Sequence, residues 1–164
     1  MTKLLLSLHV LAAIVAVGPV TVAASMFPAT LRRALGDSGD SGDSGDGNAR
    51  TTLRTLHRIC RVYAGIGIAV PLFGFATASS LGVLGDAWLI TSILLTAAAA
   101  GVLALLILPA QDRALAETAS SASAPPAPTP LTPGRLAMFT GIFNLLWAAV
   151  TVLMIIRPGS TTGV

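Results

Sequence analysis

Apolar and polar positions fall in long blocks along this 164-residue chain, with uncharged runs at 4–27, 62 to about 84, 88–108 and 136–156. Each run reaches the roughly 20 residues needed to cross a hydrocarbon core about 30 Å thick. The runs are continuous and not alternating, so they predict helices and not barrel strands, since a lipid-facing backbone must satisfy its own amides. The fold class that follows is all-α, a four-helix transmembrane bundle forming one membrane domain over 1–164. A five-residue turn at 82–86 makes the second and third helices an antiparallel hairpin. Longer links at 34–48 and 118–134 join the other helices.

Arginines set the orientation. Arg32, Arg33, Arg50, Arg54, Arg58, Arg61, Arg113 and Arg135 border one side of the spans, against Lys3 and Arg157 on the other. Because positive residues are retained in the cytoplasm, both termini are expected to be extracytoplasmic. A competing reading takes Lys3, the first apolar run and Val22-Ala23-Ala24 as a signal peptide. Cleavage there would leave three helices and export the arginine-rich link, against the charge pattern, so the four-span reading is preferred.

Composition agrees with the patterning: 54% of residues are hydrophobic and 10% charged, far below the ~25% of soluble domains. The formal charge is only +3 and its basic residues flank apolar runs, which points to lipid headgroups and not nucleic acid. A single cysteine, Cys60, supports neither an internal disulfide nor a thiolate metal cage.

The links read as tethers. A Gly-Asp-Ser repeat spaces Asp37, Asp40, Asp43 and Asp46 three residues apart, without the alternate-ligand register and closing glutamate of a calcium loop. The second link holds Pro125, Pro126, Pro128, Pro130 and Pro133, a polyproline-like spacer. Between the first link and the second span, Arg50, Arg54, Arg58 and Arg61 recur at helical spacing, with Leu53, Leu56 and Cys60 on another face. The second helix is therefore expected to begin near Asn48, capped by Asn48 or Thr51, and to present its arginines to headgroups or to an acidic partner.

No Asp, Glu, Lys or Arg lies within a span, which removes the usual proton relays and ion-coupling carboxylates. Gly67, Pro71, Gly74 and Ala78 form one small-residue stripe and Ala97, Gly101 and Ala104 another, expected to let the hairpin helices approach closely. Asn144 should bond across helices, with Thr96 at a comparable depth. Pro19 should kink the first helix, Thr21 or Ser25 repairing its ladder, and Trp88 and Tyr63 suit the interfacial belts.

His9 is the one ionisable group inside a span. An intramembrane histidine is a functional candidate by default, and axial haem ligation is the chemistry a neutral imidazole suits. His57 sits at the opposite interface, so Met154, at a similar depth to His9, is the partner considered for a haem.

His9-Val-Leu-Ala-Ala-Ile-Val-Ala-Val-Gly18-Pro19, followed by Phe27-Pro28 and arginines, resembles the opening of an uncharacterised bacterial family of predicted integral membrane proteins, a domain of unknown function. Trp88, Pro109 and Arg113 match that family's tryptophan-headed third helix. The resemblance covers nearly all four spans and implies a multi-pass protein of the bacterial plasma membrane. More distantly, the histidine-led helix is similar to the copper-resistance D domain and to the J-type protoporphyrinogen oxidase, a haem protein. The oxidase pattern has a lysine farther along, whereas Lys3 is the only lysine here, and the added His and Met residues of copper handling are absent. The reading preferred from sequence is a non-catalytic packing or accessory protein, without catalytic or metal residues or a required cofactor, joined to a second copy or a larger membrane complex; the alternative is a haem-binding redox protein.

Overall fold

The computed structural model describes residues 2–36, 44–120 and 132–159, and among these the chain is helical with no strand. Helix α1 runs Thr2–Gly36, α2 Ser44–Ile66, α3 Ala69–Leu81, α4 Ala87–Gly101, α5 Leu108–Ser120 and α6 Pro133–Ile156. Six residues of π-helix, Val102–Ile107, join α4 to α5. End to end these make four rods, Thr2–Leu35, Gly47–Leu81, Ala87–Ala119 and Pro133–Ile156, each long and apolar enough to cross a membrane.

Local chemistry explains most of the interruptions. Pro71 has no amide to give the Gly67 carbonyl, which instead accepts from Val70 N at 3.1 Å, while Ile68 N turns to Gly65 O at 3.2 Å. The second rod therefore breaks into α2 and α3. At Gly82, φ is +70° and the amide reaches back to Ala78 and Ser79 oxygens, a left-handed helix end that glycine adopts without strain. The π segment is marked by Leu108 N donating to Leu103 O, five residues back. Pro133 opens α6, where its missing amide costs nothing.

Helix α1 packs against α2, α3 and α6; α4 and the π segment pack on α6, and α2 on α5. The densest packing is at the arginine-bearing end, where Phe27, Leu31, Leu53, Cys60, Ile107 and Ala114 are buried in one cluster. A smaller cluster of Ala78, Trp88 and Leu89, with Met154 against it, closes the other end. There the Trp88 indole donates to Asp86 at 3.0 Å and the Arg157 guanidinium lies 5.5 Å from the ring centroid.

Several expectations need correction. Three rods have 33 to 35 residues, about 50 Å at helical rise, so helix runs well into both supposed links. Residues 34–36, 44–48, 118–120 and 133–134 are helical, and the rest of the links, 37–43 and 121–131, lie outside the described residues. Helix α2 begins at Ser44, and Thr51 and Thr52 bond back to Gly47 and Asn48 oxygens as mid-helix residues do, so neither Asn48 nor Thr51 is a cap. The hairpin helices do not pack along their small stripes, because α3 lies against α1 and α4 against α6. Helix α1 continues without a break through Pro19 and Pro28, with Ala23 and Ala24 in the core.

Candidate functional site

His9 is half-buried on α1, and its Nδ1 lies 2.9 Å from the Val70 carbonyl oxygen on α3. A carbonyl can only accept, so Nδ1 carries the proton and a neutral ring keeps its lone pair on Nε2. The ring rests on Gly74: a Cβ at that glycine would stand 3.0 Å from His9 Cε1 and 3.2 Å from Nδ1. At Gly74 the small residue therefore admits an imidazole and not the neighbouring hairpin helix. Met154 packs with Ala78, Trp88 and Leu89, with Ala78 one turn along α3 from Gly74.

Asn144 bonds to helix one and not to Thr96. Its Nδ2 donates to Ser25 Oγ at 3.3 Å, one turn from Thr140, whose hydroxyl proton is shared between Leu136 O at 3.0 Å and Ala24 O at 3.4 Å. Thr96 donates to Ser92 O at 2.7 Å within its own helix. Ser25 Oγ accepts the Asn144 bond, and among the described residues neither Ser25 nor Thr21 donates to an α1 carbonyl, so the ladder repair expected beside Pro19 is not formed.

A second polar group was hidden from the sequence reading. His57 on α2 is buried, with Nδ1 3.1 Å from Gln111 Oε1 and Nε2 3.0 Å from an Asp112 oxygen that lies outside hydrogen-bonding geometry. Gln111 Nε2 reaches the Cys60 sulfur at 3.7 Å. The signal was the period of Ile107, Ala110, Gln111, Ala114 and Thr118, all buried, which carries one helical face past Pro109 into the supposed link. Among the described residues no group of three acidic, His or Cys side chains is arranged for a metal, and this cluster ties α2 to α5. Of the arginine face, Arg54, Arg58 and Arg61 are exposed on the side of α2 opposite Leu53 and Cys60, with Arg50 half-exposed.

Between the four rods lies a cavity of about 170 Å³. Helix α1 contributes Ala16, Val17 and Val20; the broken rod contributes Tyr63, Ala64, Gly67, Ile68, Val70 and Pro71. Thr96, Ala100 and Leu103 wall the third side, and Phe143 and Trp147 the fourth. The Trp147 ring meets Phe143 edge to face at 6.3 Å, and its buried indole N–H has no hydrogen-bond partner among the described residues. Gly67 thus lines a cavity and not a helix contact.

Four rods long and apolar enough to cross a membrane, around a largely uncharged interior, have the architecture of a multi-pass helical membrane protein. No protein-family model, curated protein or solved structure matches the chain.

Proposed function

We propose that this is a non-catalytic protein of the bacterial plasma membrane that packs against a second copy of itself or a larger membrane complex. The observation that carries the reading is the uncovered stripe on the third rod. Ala97 and Ala104 are exposed, and a Cβ at Gly101 would meet nothing within 4 Å. Small residues allow close backbone approach in lipid, where apolar side chains gain nothing by leaving the lipid tails. Gly101→Leu is expected to leave the fold intact and shift the purified protein toward monomer by light scattering in mild detergent. A wild-type protein that is monomeric and isolates alone would sink the proposal.

Both termini are read as extracytoplasmic and the arginines as headgroup contacts on the cytoplasmic side. A phosphatase that folds only outside the cytoplasm, fused after the last residue, should be active; an inactive but stable fusion reverses the orientation.

The haem alternative meets a disagreement between donor and room. The His9 tautomer leaves Nε2 available as an axial ligand would need. The ring, however, is bonded to the Val70 carbonyl and rests against Gly74, and His9 does not line the cavity, whose ~170 Å³ falls short of the roughly 300 Å³ at which ligand pockets begin. The residues present do not fit a porphyrin, and no redox step is assigned to them.

A further inference from the structure

The second and third rods meet at one end through the turn at 82–86 and at the other through the packing of α2 on α5. Between those ends they part. Around the bundle, α1 packs on α2 and α3, α6 on α1, and α4 with the π segment on α6, but beyond the cluster around Trp88 no extended packing closes the ring from α3 to α4. The cavity lies behind that gap. Its lining residues on α1 and α6 are buried or half-buried, and the exposed ones, Ile68, Pro71 and Ala100, all stand on the two rods that border the gap. The cavity therefore opens sideways into the bilayer.

The walls and the rim specify what enters. No charged residue lines the cavity, so a charged group there would lose its solvation without compensation. An empty apolar void forfeits contacts on every wall, and the medium at its opening is hydrocarbon chain. About 170 Å³ is close to the ~150 Å³ of an engineered apolar cavity that accepts benzene, so the space takes on the order of six chain carbons. On the second rod, Ile68 follows Arg61 by seven residues, which puts Arg61 on the same face and about 10 Å nearer the arginine-bearing end. That separation reaches from a headgroup layer about 5–7 Å thick into the first part of the chains. Arg61 and Arg58, one turn further out, are exposed, and among the described residues neither side chain has an acidic or hydrogen-bonding partner.

We infer that an anionic phospholipid occupies this gap, with one acyl chain entering the cavity between Ile68 and Ala100 and the headgroup phosphate held by Arg61 and Arg58. Two guanidiniums without a paired acid favour a headgroup of net negative charge over one that carries its own amine. The inference rests on the arginine-bearing end lying at headgroup level, as proposed above, and not on self-association.

Trp147 lines the cavity and can report on it, because bromine on a lipid chain quenches the fluorescence of an indole it touches. Trp88→Phe protein, in which Trp147 is the sole tryptophan, is placed in phosphatidylcholine vesicles with a small fraction of phosphatidylglycerol brominated near the middle of one chain. Quenching of Trp147 should saturate at a low fraction and exceed that by brominated phosphatidylcholine at the same fraction. Arg58→Gln and Arg61→Gln should each weaken that preference about fivefold, whereas Arg32→Gln, at an exposed arginine on α1, should leave it unchanged. Ala100→Phe, at an exposed position bordering the gap, should remove the excess quenching with both arginines in place. If Trp88→Phe does not fold, the difference between wild type and Trp147→Phe gives the same readout. Equal quenching by the two brominated lipids overturns the inference together with the headgroup role of the arginines. A preference for phosphatidylglycerol that survives Ala100→Phe leaves that role standing and overturns the cavity site alone. Trp147 left unquenched by either lipid would put another helix in the gap and equally overturn it.

Discussion

Most polar side chains among the apolar residues bond back within their own helix, and a few act as short cross-helix ties. Interhelical hydrogen bonds of this kind contribute about 0.6 kcal/mol on average in membranes, so the Asn144–Ser25 and His9–Val70 bonds hold helices in register more than they stabilise them. The steric partner of His9 matters more. Gly74→Val places carbon where the imidazole lies, and overpacking of that sort costs about 1–3 kcal/mol. His9→Ala should relieve much of that cost, so thermal unfolding of the two single variants and the double variant should give clearly non-additive losses; additivity would separate the two residues. From the sequence His9 stood out as the sole ionisable group in a span, but its contact could not be read. The glycine that receives it lies 65 positions away on a rod whose stripe equally well fitted a neighbouring helix.

At the scale of elements, the existence and order of the four rods were legible because uninterrupted apolar runs of this length have one stable form in lipid. Their ends were not, since polar residues beyond the runs read as tether although their buried faces continue the helical period. Leu31 and Ala34 on α1, Leu53 and Leu56 on α2, and Ala110 and Ala114 on α5 show this at the arginine-bearing end. The breaks were partly legible: Pro71 announces one, whereas nothing in Val102–Ile107 announces a π segment. A π turn accommodates one residue more than the α-helix it interrupts. Deleting the exposed Ala104 should therefore let this stretch relax to α-helix with both flanks in register, while deleting Leu94 from regular α4 rotates everything beyond it by about 100°. Melting in detergent should show Ala104 deletion as the milder of the two by several degrees, and equal damage would argue against a stored extra residue.

The molecule as a whole is uneven. Its arginine-bearing end is closely packed by α1, α2 and α5, whereas its middle holds a cavity and its far end relies on a small cluster around Trp88. Cys60 is 0% exposed within the packed end, and it is the only cysteine in the chain. A small thiol reagent can reach that sulfur only when this packed end opens, so the labelling rate times that opening. If the two ends open independently, Trp147→Ala in the middle should change global melting and leave the labelling rate near its wild-type value. If they open together, both should change in proportion. The single thiol thus makes the protein its own clock for the order in which its parts come undone.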